Sequence, residues 1–191
     1  MNVMIVAGGE RPSFAFLLKK IDEFSPDRII AADGGANVLR EYGIVPHIIL
    51  GDMDSVKKGL LDFYRSKCEL ITYPAQKDET DLELALLKAK ELGAVRVLLL
   101  GATGGRVDHT LANLFLLRRA RELGMAAAIE DEDCGIYLVR RKKEFRGCKG
   151  HTLSVFPFSE KVEGIKSVGL YYPIPPLRFG DIIGISNVIT E

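Results

Sequence analysis

The sequence predicts a doubly wound α/β domain followed by a small all-β module. Two observations carry the first part. Short runs rich in Val, Ile and Leu alternate with amphipathic stretches through the first two thirds of the chain. The apolar runs are also continuous, which suits strands buried on both faces of a mainly parallel sheet. The module rests on a third: past Asp131 the chain turns to brief β-prone runs broken by Gly, Pro and charged residues.

In chain order, strands are expected over 3–7, 28–32, 47–50, 69–73, 95–100 and 125–129. Helices are expected between them over 14–24, 36–42, 56–66, 80–92 and 111–123. In the fourth helix Leu82, Ala85, Leu86 and Ala89 recur at helical spacing, with Glu83, Lys88, Lys90 and Glu91 elsewhere on the wheel. Gly93 and Gly124 stand where a left-handed residue closes a helix. Strand–helix alternation of this kind reads as a doubly wound sheet. Four further strands are expected over 135–140, 152–158, 163–170 and 181–186. Pro173, Pro175 and Pro176 forbid a helix there and disfavour an interior strand. The expected division is an α/β domain over residues 1–131 and a β domain over 132–191.

Composition narrows the function. The 191 residues carry 26 Lys and Arg against 26 Asp and Glu, so the formal net charge is zero. That balance argues against a protein built mainly to neutralise nucleic-acid phosphates. It leaves room for a local basic pocket. Cys68, Cys134 and Cys148 are odd in number and lack metal-ligand spacing, as expected of free thiols in a reducing compartment. The N-terminal apolar run is too short for a signal peptide, and no stretch reaches the length of a membrane span. A cytoplasmic protein is expected.

Four polar motifs each fall just past the C-terminal end of an expected strand: Ala32-Asp33-Gly34-Gly35-Ala36-Asn37, Gly51-Asp52-Met53-Asp54-Ser55, Lys77-Asp78-Glu79-Thr80-Asp81, and Gly101-Ala102-Thr103-Gly104-Gly105-Arg106-Val107-Asp108-His109. That edge of an open parallel sheet is where ligands bind. Asp52 and Asp54, two residues apart in a turn, suit one hard cation such as Mg²⁺, with Asp81 as a third carboxylate. Asp54 or Ser55 could instead cap the helix that follows, and Asp78 could cap its own. Lys77 would serve a phosphate, and several carboxylates on one edge make sense once a divalent cation joins them. The Gly101–Gly105 loop suits close approach of an anion to a helix N-terminus, and Arg106 adds a planar fork for phosphate oxygens. Asp108 and His109 could orient Arg106 or a substrate, or simply begin the helix. The loop is neither a Walker sequence nor a dinucleotide fingerprint. Together these residues point to phosphoryl or nucleotidyl chemistry.

The ordered set DGGAN, GDMDS, KDETD and GATGGRVDHTLAN resembles the thiamin pyrophosphokinase family over residues 33–113, with a further match through Gly169-Leu170-Tyr171-Tyr172-Pro173 to Ser186-Asn187. The resemblance implies an α/β domain followed by a β-sandwich, a homodimer, and transfer of diphosphate from ATP to the hydroxyl of thiamine with release of AMP. It further implies that Asp52, Asp54 and Asp81 hold Mg²⁺, and that Lys77, Thr80 and Arg106 contact the phosphates. Asp33, Asn37, Asp108 and His109 would complete the nucleotide pocket, and Tyr172, Ser186 and Asn187 would meet thiamine. An Asp of the acidic cluster is the candidate base. Two departures stand at the C-terminal end: Tyr171 occupies the usual Lys place, and Val188 the usual Glu place. These leave open a pyrophosphokinase acting on another alcohol, such as 6-hydroxymethyl-dihydropterin. A non-catalytic nucleotide- or thiamine-binding module and a metal-dependent phosphohydrolase remain further alternatives.

Overall fold

The computed structural model describes residues 1–191. These form two compact units, residues 1–138 and 139–191.

The first unit strings β1 (Asn2–Val6), α1 (Phe14–Phe24), β2 (Arg28–Ala32), α2 (Gly35–Glu41), β3 (Ile48–Gly51), α3 (Leu60–Tyr64), β4 (Glu69–Thr72), α4 (Asp81–Glu91), β5 (Arg96–Leu100), α5 (Val107–Glu122), β6 (Ala126–Glu130) and β7 (Gly135–Tyr137). The strands make one seven-stranded sheet in the order β4-β3-β2-β1-β5-β6-β7. All neighbours pair in parallel except β6 and β7. The order reverses at β1, which lies between β2 and β5, so the switch point of the sheet falls there.

The two-residue period of a strand explains why the apolar runs are continuous. Val3 and Ile5 of β1 join one core with Ile30, Leu50, Leu99 and the α4–α5 residues Leu82, Leu86 and Leu117. Met4 and Val6 join the opposite core with Ala31, Ile49, Leu98, Leu100 and the α1–α3 residues Leu17, Leu39 and Tyr64. Both faces of each central strand are thereby covered. Gly35 is required by this packing, because a Cβ there would stand 1.9 Å from the Val6 carbonyl oxygen.

Several elements differ from expectation for local reasons. The helix expected over 56–66 is confined to Leu60–Tyr64, because Gly59 takes a left-handed φ of 81° immediately before it. Helix α5 starts at Val107, four residues ahead of the expected start at 111. Its first turn holds Val107 exposed beside Asp108 and His109, so core-facing periodicity does not register it. The strand expected to open the β module, over 135–140, instead contributes Gly135–Tyr137 to the large sheet, paired antiparallel with β6. Hence the first unit runs to Leu138 and not to residue 131.

The second unit holds two short antiparallel ladders. Strand β8 (Thr152–Leu153) pairs with β11 (Asn187–Val188), and β9 (Lys161–Val162) with β10 (Leu177–Arg178). A bridge joins Leu170 to Ile189. The expected strands over 163–170 and 181–186 do not form, and 152–158 shortens to its first two residues. Gly164, Gly169 and Gly180, at φ of 67°, 73° and 94°, interrupt extended pairing. Asn187, buried at 5% exposure, ties this unit together. Its amide oxygen accepts from the N–H groups of Tyr172 and Val188, and its amide nitrogen donates to the Tyr172 carbonyl at 2.7 Å. No helix is long and apolar enough to cross a membrane.

Candidate functional site

The carboxyl edge of the large sheet carries two groups of loops with opposite character. The first follows β2, β3 and β4. Asp33 leaves β2 in a turn with a left-handed φ of 42°, a conformation that Asp tolerates better than most residues with a side chain. Gly51 ends β3 at φ 143°, and a Cβ there would lie 3.0 Å from Asp33 Cβ and 3.2 Å from Asp81 Cγ. The missing side chain of Gly51 is the space in which those carboxylates approach. One oxygen from each of Asp33, Asp52 and Asp81 falls within a 4.8 Å spread.

The polar atoms of this group are poorly satisfied. Asp33 Oδ1 and Asp81 Oδ1 are inaccessible and have no hydrogen-bond partner. Asp81 Oδ1 does face the Lys77 ammonium at 2.9 Å, as an ion pair without hydrogen-bond alignment. Burial pushes the Asp33 carboxyl above its ordinary value; the Ser55 hydroxyl and Gly34 N–H oppose the rise, and the charges of Asp81 and Asp54 add to it. Burial alone would lower the Lys77 ammonium, but Asp81, Asp52 and Asp33 outweigh it and hold it above the ordinary lysine value.

The acidic set differs from the one expected. Asp54 is exposed, and its carboxylate accepts from the Ser55 hydroxyl at 2.8 Å. Met53 between the two acids has φ 65°, which breaks the extended alternation that would place Asp52 and Asp54 on one side. Asp52 Oδ1 instead accepts from the Asp54 N–H at 3.1 Å, closing an Asx turn. Asp33, expected in the nucleotide pocket, takes the third place among the converging carboxylates. Asn37 spends its amide on the protein, donating to the Ser55 carbonyl at 2.8 Å and accepting from Lys57 N–H at 2.9 Å. It therefore braces the acidic loop from α2. Thr80 caps α4, accepting from Glu83 N–H at 3.2 Å.

The second group follows β1, β5 and β6. Gly9 N–H donates to the Gly101 carbonyl at 2.8 Å and Glu10 N–H to the Thr103 carbonyl at 2.5 Å. Cβ atoms at Gly9 or Gly101 would stand within 2.5 Å of backbone oxygens, so only glycine lets these loops run so close. Asn113 of α5 donates to the Ala102 carbonyl at 2.7 Å. Gly104 and Gly105 are exposed at the loop crest, both left-handed, and lead into α5. Arg106 occupies the α5 N-cap position, where its guanidinium forks onto Asp108 through contacts of 3.1 and 2.5 Å. That pairing holds the Asp108 carboxyl below its ordinary value and the Arg106 guanidinium above it. Both side chains are exposed, and His109 beside them is exposed as well.

Gly8 and Gly9 lie outside the four polar motifs of the sequence. Their signal was positional: they follow the central strand β1 at the switch point, where the sheet order reverses. In the second unit, Tyr172 is exposed, with its ring edge-to-face against Tyr171 at a centroid distance of 4.7 Å. Ser186 has a left-handed φ of 56° and donates its N–H to the Ser154 hydroxyl. Asn187, expected to meet substrate, has its amide committed to the backbone of Tyr172 and Val188.

Fold and site together define a doubly wound α/β protein whose carboxyl sheet edge carries three converging carboxylates with a lysine, and a glycine loop at a helix start. Residues 24–129 match the family model of the thiamin pyrophosphokinase catalytic domain, and residues 136–191 that of the thiamin pyrophosphokinase vitamin B1 binding domain. The chain belongs to the thiamin pyrophosphokinase family. It is 30% identical over 196 residues to thiamine pyrophosphokinase of Bacillus subtilis, an alignment covering 97% of this chain and 88% of that one. Thiamine pyrophosphokinase 1 of Arabidopsis thaliana is 26% identical, over 96% of this chain and 81% of its own length. The crystal structure of the Bacillus subtilis enzyme superposes with a TM-score of 0.84 at 26% identity, covering all of this chain and 91% of that one. Yeast thiamin pyrophosphokinase shares the fold, with a TM-score of 0.73 at 18% identity over 98% of this chain and 80% of that one.

Proposed function

We propose that this chain transfers the terminal diphosphate of ATP to the hydroxyl of thiamine, giving AMP and thiamine diphosphate, with Mg²⁺ held at the acidic edge. The carrying observation is the convergence of Asp33, Asp52 and Asp81 beside Lys77 in a chain of this family. Buried Asp33 Oδ1 has no hydrogen-bond partner and buried Asp81 Oδ1 has only the Lys77 ammonium, and hard carboxylate oxygens are the donors Mg²⁺ prefers. The donor set fits the ion, and these three residues would hold it. When bound, the ion supplies charge neutralisation for the phosphate oxygens.

The chain's own groups do the rest. Lys77 offers its ammonium to phosphate oxygens that draw it from Asp81. Arg106, released from Asp108, offers a two-pronged donor to the same chain of phosphates. The exposed Gly104–Gly105 backbone at the start of α5 accommodates a phosphate without side-chain obstruction. With the polyphosphate so aligned, the thiamine hydroxyl gives its proton to a carboxylate of the acidic cluster and attacks the β-phosphorus, the bond from that phosphorus to the oxygen bridging it to the α-phosphate breaks, and AMP leaves. Positioning and charge stabilisation supply most of the rate. Tyr172 offers an exposed aromatic face to the cationic rings of thiamine. Two copies of the chain form the working dimer, in keeping with exposed Phe156, Tyr171, Phe179, Ile182 and Ile183 on the second unit. Three free cysteines suit a reducing cytoplasm.

The test resolves AMP, ADP and inorganic phosphate after incubation with ATP and Mg²⁺, adding thiamine, 6-hydroxymethyl-dihydropterin or no acceptor. Thiamine-dependent AMP with equimolar thiamine diphosphate is expected. AMP with the pterin alone, or phosphate release without acceptor, contradicts the proposal.

A further inference from the structure

The glycine-rich loop after β5 is held by a turn that lies outside the four motifs. Asp131, just past β6, sits at the centre of it. Its Oδ1 accepts from the N–H groups of Asp133 and Cys134 at 3.0 and 2.7 Å, and its Oδ2 accepts from the Thr103 hydroxyl at 2.9 Å and the Cys134 thiol at 3.5 Å. Burial alone would raise this carboxyl, but those donors outweigh it and hold it below its ordinary value, so it is ionised at neutral pH. The neighbouring Glu132 accepts from the Ser13 N–H at 2.6 Å, at the start of α1. Thr103 is thus gripped on two sides, by Asp131 on its hydroxyl and by the Glu10 N–H on its carbonyl.

The grip matters because of what flanks Thr103. Gly101, Gly104 and Gly105 all have positive φ, and glycines lose more conformational freedom on ordering than other residues. A loop of this composition left to itself would sample many shapes, and each wrong shape reduces the fraction competent to bind. A charge-assisted hydrogen bond to its one branched polar residue selects a single shape in advance.

We infer that Asp131 is a positioning residue for nucleotide binding, acting through the Thr103 hydroxyl to pre-form the Gly101–Arg106 loop that receives the ATP phosphates. It touches no substrate. The inference rests on the proposed ATP reaction, and its test separates the two. The Kd for ATP with Mg²⁺ is measured by calorimetry without thiamine, and KM for ATP and thiamine and kcat are measured for wild type, Asp131→Ala, Thr103→Val, Thr103→Ser and the Asp131→Ala/Thr103→Val double variant. Thr103→Val is nearly isosteric and keeps the test valid should Asp131→Ala fold poorly. The expected result is a rise of about tenfold or more in Kd and KM for ATP in Asp131→Ala and Thr103→Val. KM for thiamine should stay within about twofold. The double variant should be no worse than the poorer single one, and serine should recover at least half of the affinity lost with valine. Equal rises in both KM values, or a lower thermal midpoint with unchanged ATP affinity, would overturn the inference. Failure of serine to recover binding would overturn the hydroxyl link. Wild-type protein that does not bind ATP would overturn the underlying reaction instead, and the inference with it.

Discussion

The two loop groups on the carboxyl edge are built on opposite principles. On the β2–β4 side, three carboxylates converge, two of their oxygens are buried without hydrogen bonds, and Asp33 and Met53 are left-handed non-glycine residues. On the β1–β5–β6 side, nearly every strained position is a glycine, and backbone and side-chain hydrogen bonds tie the loops to one another. The first side stores unfavourable electrostatics that a cation would relieve; on the second, the loop backbone is tied before any ligand arrives, and only the Arg106–Asp108 pair has to open. Strain at the first side points to function, since the fold alone gives no reason to gather like charges.

Neutralising one carboxylate should expose this difference most strongly. Asp52→Asn or Asp81→Asn should lower kcat by about a hundredfold or more; the thermal midpoint should stay level or rise in Asp52→Asn as repulsion is removed, and should fall modestly in Asp81→Asn, which also loses the ion pair to Lys77. Asp54→Asn, outside the converging set, should cost at least about tenfold less activity than Asp52→Asn. Equal losses would return Asp54 to the set. Gly51→Ala should damage both properties, because its Cβ would crowd Asp33 and Asp81 at a φ unsuited to alanine. A loss of about 1–3 kcal/mol on chemical denaturation is expected, together with most of the activity. On the tied side, the stability cost should dominate: Gly9→Ala places a Cβ 2.4 Å from the Thr103 carbonyl oxygen and should lower the denaturation midpoint.

Smaller effects should appear away from the edge. Asn187→Ala leaves the part-buried backbone N–H and carbonyl of Tyr172 without their partner and should cost about 1 kcal/mol, measured by denaturant titration. A pure rise in KM for thiamine without that loss would make Asn187 a substrate contact. Last, Cys134 is exposed as a residue, but partial burial of its thiol together with the Asp131 carboxylate pushes that thiol up to about 11. Its thiolate fraction grows only as pH approaches that value, so alkylation of Cys134 at pH 8 should run about tenfold or more slower than in unfolded protein.

The alternating apolar runs made the large sheet legible, because burial on both faces leaves an uninterrupted Val, Ile and Leu signature in β1, β2, β3 and β5. The motif positions followed from it, since each lies just beyond a strand. Which carboxylates converge was not legible: it depends on the backbone reversal at Met53 and on the space left by Gly51, and neither is encoded by spacing. Periodicity placed the start of α5 at Leu111 because Val107 before it faces outward, although Asp108 and His109 were open to being its first turn. In the second unit, two-residue ladders carry no periodicity long enough to read, so Gly164, Gly169 and Gly180 decided where pairing stops. The hold of Asp131 on Thr103 joins residues 28 positions apart and leaves no local pattern.

Completion of the acidic side by a divalent cation, as proposed, can be measured as binding. Binding of Mn²⁺, used in place of Mg²⁺, is measured by electron paramagnetic resonance with the non-reacting α,β-methylene analogue of ATP, for wild type, Asp33→Asn, Asp52→Asn and Asp81→Asn. Tight binding by wild type and a loss of about tenfold or more in each variant is the predicted result. Mn²⁺ affinity that is the same in all four proteins would contradict it.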